Sequence, residues 1–147
     1  MTDAVVLDTN VWISAALSHH GAPAQIVHKV LGDGQVIFSD ATFQELELRI
    51  WKPKFDRYIS MELRRAILHD AKAAAYWVNP SADITSVAYS RDADDDKFVH
   101  AALAANAAWL VTGDQDLLVL AAGLTASGST VKILSPSEAL QTTRFCR

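Results

Sequence analysis

The chain has 147 residues, half of them hydrophobic, enough apolar side chain for one domain to bury a core without disulfides or structural metals. Its single cysteine, Cys146, excludes an internal disulfide; with no evident leader pattern and no apolar run long enough for a bilayer, a cytoplasmic, membrane-free protein is expected. A formal charge of −4 would argue against a nucleic-acid partner if it were evenly spread, but it is polarised. Seven of the 13 basic residues (Arg49, Lys52, Lys54, Arg57, Arg64, Arg65 and Lys72) stand close together, whereas Asp92, Asp94, Asp95, Asp96, Asp114 and Asp116 crowd a later stretch around Lys97.

In chain order, strand and helix signals alternate. An apolar run at residues 4–7 reads as a buried strand ending at Asp8, and residues 11–17 begin a helical pattern that Gly21 interrupts. Pro23 suits the first turn of a second helix, reaching about Leu31 and stopped by Gly32 and Gly34. Residues 36–38 form a second strand, and Ser39 or Asp40 caps a helix with Phe43, Leu46 and Ile50 on its apolar face, ended by Pro53. The longest helical pattern spans residues 60–77, and a third strand is expected at residues 84–87. The acidic turn from Asp92 opens a helix to about Ala105, a fourth strand covers residues 109–111, and a short helix covers residues 117–120. A fifth strand at residues 131–134 precedes a last helix, opened by Ser135 and Glu138 at capping-box spacing with Pro136 in the first helical position. This alternation predicts an α/β fold, a central parallel sheet of about five strands between two layers of helices, in one domain over residues 1–141 with a short tail at 142–147.

In such a sheet, ligands collect at the carboxyl ends of the strands. Asp8 ends the first strand, Glu45 lies just over one turn into the helix after the second, Asp96 opens the helix after the third, and Asp114 follows the fourth. Converging carboxylates repel one another, and burial raises their pKa values, a conflict that a divalent cation removes. Hard oxygen ligands suit Mg²⁺ or Mn²⁺, and such an ion activates water for phosphodiester hydrolysis.

Four stretches carry a family resemblance: Val5-Val6-Leu7-Asp8-Thr9-Asn10-Val11, residues 46–59 with the break Lys52-Pro53-Lys54-Phe55, Arg91-Asp92-Ala93-Asp94-Asp95-Asp96-Lys97-Phe98, and Leu110-Val111-Thr112-Gly113-Asp114-Gln115-Asp116-Leu117-Leu118. With them the chain resembles the PIN-domain ribonucleases, and within these the toxin components of bacterial toxin–antitoxin pairs. The resemblance implies a three-layer α/β/α fold, an acidic Mg²⁺ or Mn²⁺ pocket, and cleavage of RNA to 3′-hydroxyl and 5′-phosphate ends. It also implies a cognate antitoxin as partner and a homodimer. It places the four family acids on Asp8, Glu45, Asp96 and Asp114, with Asp8 and Asp96 as main metal ligands and Asp116 as a candidate ligand of a second ion. Asn10 and Thr112 match positions that support the first and fourth acids by hydrogen bonding. Gly113 stands where many relatives carry arginine. Arg49, Lys52, Lys54, Arg57, Arg64 and Arg65 are candidate RNA-phosphate contacts, against the ordinary alternative of a solvated helix face.

Other readings have specific costs. Asp94, Asp95 and Asp96 suit a helix N-terminus without any metal, and Glu45 stands at capping-box distance from Thr42. A calcium-binding loop starting at Asp92 fails at Lys97 and Leu103, where glycine and glutamate are needed. The five histidines have no zinc spacing. A phosphohydrolase using Asp8 as nucleophile, in the manner of haloacid-dehalogenase-like enzymes, would need a second aspartate where Asn10 stands. A catalytically idle module that only binds RNA or an antitoxin would be favoured by a missing acid, and none is missing.

Overall fold

The computed structural model describes residues 3–142, so the expected tail lies outside the described residues except for Thr142. Strand β1 (Ala4–Leu7) leads into helices α1 (Thr9–Leu17) and α2 (Ala22–Asp33), β2 (Gln35–Phe38), α3 (Asp40–Ile50), α4 (Met61–Ala74) and β3 (Ala75–Trp77). A single helical turn, α5 (Ala82–Thr85), precedes α6 (Asp96–Ala105) and β4 (Trp109–Val111). Short helices α7 (Gln115–Leu118) and α8 (Ala121–Ala126), β5 (Lys132–Leu134) and α9 (Pro136–Gln141) follow. The strands pair in parallel throughout, in the order β3-β2-β1-β4-β5.

The two-residue period of a strand sorts side chains between two cores. Val5 and Leu7 of β1, Val36 and Phe38 of β2, and Trp109 and Val111 of β4 face one layer, packing with Trp12, Ile26, Val30, Leu46 and Ala71 from the helices between β1 and β3. Val6, Ile37 and Leu110 alternate to the other face and meet Phe98, Val99, Ala102, Leu117 and Leu124. The sheet is thus covered on both sides, which is why its strands read as continuous apolar runs. No helix among the described residues is long and apolar enough to cross a membrane.

The third strand lies at residues 75–77, not at the expected 84–87. Ala75, Tyr76 and Trp77 continue the helical spacing of α4, but pairing with Val36, Ile37 and Phe38 overrides it. Trp77 also packs on Phe38 at 6.0 Å and edge-on to Phe43 at 5.4 Å. Residues 82–85 do not join the sheet, which ends at β3 on that side, and form a helical turn behind Ser81.

Smaller differences lie at element ends. The second helix runs through Gly32 and stops at Gly34, where any Cβ would lie 3.2 Å from the Asp3 carbonyl oxygen. The helix expected at 117–120 starts at Gln115, capped by Asp114, and α8 follows it. Thr42 forms its capping box with Ser39, which leaves Glu45 free of that role, while Ser135 and Glu138 form the expected box.

Candidate functional site

Parallel pairing brings the carboxyl ends of β1 and β4 together, and the acids follow. The Asp8 amide donates to the Val111 carbonyl at 3.0 Å, extending the ladder one residue beyond β1, and the Asp8 side chain turns in as N-cap of α1. Asp8 is only 3% exposed. The buried Thr112 hydroxyl donates to Asp8 Oδ2 at 2.7 Å and accepts the Asp114 backbone amide at 3.0 Å, tying the Asp8 carboxylate to the Asp114 backbone, while Asp114 Oδ1 accepts the Asp116 amide at 2.9 Å. Asn10 supports Asp8 through its backbone amide at 3.4 Å, whereas its side-chain oxygen receives Arg49 Nη1 at 3.4 Å.

The consecutive aspartates before α6 point three ways. A 3₁₀ turn at Ala93–Asp95 sets the directions, and successive residues entering the helix are rotated by about 100°. Asp94 faces Lys97 and Arg49, at 3.0 and 3.8 Å. Asp95 turns toward the strand ends, where one carboxylate oxygen each from Asp95, Asp114 and Asp116 lie within 4.8 Å of one another. Asp96, the third acid expected from the sequence, is buried and accepts the amides of Tyr89 and Ser90 at 3.2 and 2.7 Å. It orders the loop entering the site and lies outside that three-acid group. His100 Nε2 meets the Val87 carbonyl at 2.8 Å.

Burial and mutual repulsion leave the acids short of compensating charge. Desolvation pushes the Asp95 carboxyl up to about 7, helped by the neighbouring charges of Asp114, Asp92 and Asp8. Asp8 is also raised, chiefly by burial, with Glu45 and Asp114 adding to the effect against the hydrogen bonds from Thr112 and Asn10. Asp95 Oδ2 is sealed from solvent and no neighbouring donor reaches it, while the Asp95 carboxyl lies against that of Asp114, a costly state that a shared proton or a cation relieves. An oxygen-only donor set with an orphaned buried oxygen fits Mg²⁺ or Mn²⁺.

Glu45 stands apart. It is buried and accepts the Thr9 hydroxyl and Lys97 Nζ at 2.9 Å, with Arg49 at 3.5 Å, so cations already compensate its charge. Lys97, which the sequence reading passed over as a site residue, is the link between Glu45 and Asp94. The candidate RNA contacts divide. Arg49 and Lys52 line a cavity beside Glu45; Lys54 lines a separate apolar one with Leu17, Phe55 and Tyr58. Arg57 and Arg65 are exposed. Arg64 does not belong with them: it is buried, pairs with Asp56 at 3.0 Å and lies 5.5 Å from the Trp51 ring. It ties the 51–59 segment to α4, and its position in a basic run gave no sign of that.

Comparisons with known proteins agree with this architecture. The Methanocaldococcus jannaschii uncharacterized protein MJ1680 is 33% identical over 118 residues, covering 79% of this chain and 74% of that protein. VapBC2 from Rickettsia felis, bound to a DNA fragment from their promoter, shares the fold at TM-score 0.57 and 16% identity, over 90% of this chain and 98% of that one. FitAB bound to an IR36 DNA fragment does so at TM-score 0.57 and 20% identity, over 90% and 94%. The PIN domain family model matches residues 4–116, from β1 through the last acid of the cluster, and the chain belongs to the PIN domain family.

Proposed function

We propose that this chain is a metal-dependent endoribonuclease, acting as the toxin of a toxin–antitoxin pair. The observation that carries the reading is the convergence of Asp8, Asp95, Asp114 and Asp116 at the carboxyl edge of the sheet, with Asp95 Oδ2 buried and without a donor. Asp8, Asp95 and Asp114 would hold the ion, with Asp116 at its border and Glu45 completing the pocket through water. In this assignment Asp96 is a positioning residue: its Oδ1 accepts two backbone amides, and it lies outside the group formed by Asp95, Asp114 and Asp116.

A bound Mg²⁺ or Mn²⁺ supplies a water acidic enough to attack near neutral pH and stabilises charge on the phosphodiester oxygens. The chain's own contribution is geometric. Thr112 orients the Asp8 carboxylate and holds the Asp114 backbone beside it, Asp96 fixes the loop before Asp95, and the Lys97–Glu45 pair holds α3 against the start of α6. Preset ligands of this kind lose little freedom when the ion binds. The partner reading rests on the sequence resemblance, with the VapBC2 fold likeness as support: a small antitoxin would cover or distort the acidic pocket, and the toxin would act in the cytoplasm as a homodimer.

The test is cleavage of end-labelled single-stranded RNA with Mg²⁺ or Mn²⁺. Wild-type cutting should disappear with EDTA and in Asp8→Asn. Cutting that survives both would place the chemistry elsewhere, and no cutting under any metal would favour an idle binding module.

A further inference from the structure

Beside the acidic cluster, and sharing Glu45 with its border, lies a cavity of about 360 Å³ lined by Ala41, Gln44, Leu48, Arg49, Lys52, Asp94 and Lys97. Its residues from α3 and the following turn recur at three- and four-residue spacing, so they form one helix face. The charge here is opposite to that of the cluster: Arg49, Lys52 and Lys97 face only two carboxylates, Glu45 and Asp94. A flexible polyanion crossing this surface would meet acids at one step and cations at the next.

The two carboxylates are not equivalent. Glu45 is 8% exposed and held by Thr9 as well as by both cations, so it is part of the wall. Asp94 is 61% exposed, and its partners are Lys97 at 3.0 Å and Arg49 at the longer distance of 3.8 Å. Exposed ion pairs of this kind are weak and easily exchanged. A phosphate offers the same cations more acceptor oxygens and a geometry that suits a guanidinium fork. Arg49 also makes only long contacts to Asn10 and Glu45, which leaves its guanidinium able to turn toward a new anion. Leu48, 66% exposed, adds an apolar wall beside it.

We propose that this cavity is a subsite for a non-scissile RNA phosphate, gripped by Arg49 with Lys52, and that Asp94 is an internal stand-in which that phosphate displaces. The inference rests on RNA being the substrate, but it concerns binding next to the acidic cluster and not the cleavage step. In the free protein Asp94 keeps Arg49 and Lys97 from collecting other anions. When RNA arrives, the carboxylate swings to solvent and the backbone takes its place, fixing the register of the next phosphodiester over the acids.

Fluorescence anisotropy of a fluorescein-labelled ten-nucleotide single-stranded RNA, titrated with the full chain in EDTA, tests this without turnover. Asp94→Asn should tighten binding about threefold or more. Arg49→Gln should weaken it about tenfold and Lys52→Gln about threefold, each flattening the plot of log affinity against log salt by about 0.7. Lys132→Gln, an exposed charge at the opposite edge of the sheet, should leave affinity within about twofold. Unchanged or weaker binding by Asp94→Asn overturns the stand-in. Unchanged binding by both Arg49→Gln and Lys52→Gln overturns the subsite, as does absence of RNA binding by the wild type. Because metal is excluded, absent cleavage with these binding shifts intact fails the nuclease reading alone, and unshifted binding by the variants with cleavage intact fails the subsite alone.

Discussion

Asp95→Asn is expected to lower metal-dependent RNA cleavage by about 10³-fold while leaving the protein folded, and Asp96→Asn to lower it by about tenfold or less. The first figure follows from losing a ligand to an ion worth several kcal/mol of transition-state stabilisation, at about 1.4 kcal/mol per tenfold. The second follows because asparagine retains an oxygen that can accept the Tyr89 and Ser90 amides, so the loop before Asp95 keeps its shape. Asp96→Ala removes that acceptor and leaves two amides unsatisfied near the core, which should cost about 1–3 kcal/mol of stability for each group left buried. Steady-state cleavage rates with thermal melts on the same preparations separate the two residues. Equal loss of activity in Asp95→Asn and Asp96→Asn, with equal melting temperatures, would contradict the division of roles.

The metal-free protein is also expected to become less stable as pH rises through neutrality. In the unfolded chain the Asp95 carboxyl has an ordinary pKa near 3.9. In the folded chain it is pushed up to about 7, by burial first and then by Asp114, Asp92 and Asp8. Between those values the folded state holds the proton and the unfolded state does not, so stability falls from about pH 4 and levels off above about pH 7. Asp8, also raised, acts in the same direction. Asp95→Asn should therefore melt at a higher temperature than wild type at pH 8 in EDTA and show a flatter melting profile from pH 5 to pH 8. Millimolar Mg²⁺ should raise the wild-type melting temperature more at pH 8 than at pH 5.5, because the ligands must be deprotonated to bind. Parallel profiles for wild type and Asp95→Asn would show that this carboxyl is not the strained one.

The placement of Asp8 and Asp114 was legible in the sequence because it depends on topology. A carboxylate ending a buried parallel strand must lie at the ligand-binding edge, and Asp8 and Asp114 are placed there by nothing subtler than strand pairing. Which of Asp94, Asp95 and Asp96 turns toward the strand ends was not legible. Adjacent positions entering a helix differ by about 100° in direction, so the outcome rests on the 3₁₀ turn and on which neighbouring amides need an acceptor. The basic run posed the same difficulty in another form: Arg49 and Arg64 look alike in sequence, yet one borders the site and the other is buried on Trp51. The third strand was misplaced because three residues carry too little periodicity to oppose the helix before them. It was pairing with β2 and the aromatic contacts of Trp77 that decided it.

An anomalous-difference map from crystals soaked in Mn²⁺ tests the central claim most directly, since the scattering of the ion locates it without assuming activity. The account predicts a peak bounded by carboxylate oxygens of Asp8, Asp95 and Asp114, with the Asp96 side chain still on the Tyr89 and Ser90 amides. A peak coordinated by Asp96 in place of Asp95, or a fully occupied crystal surface with no peak at the strand ends, would contradict it.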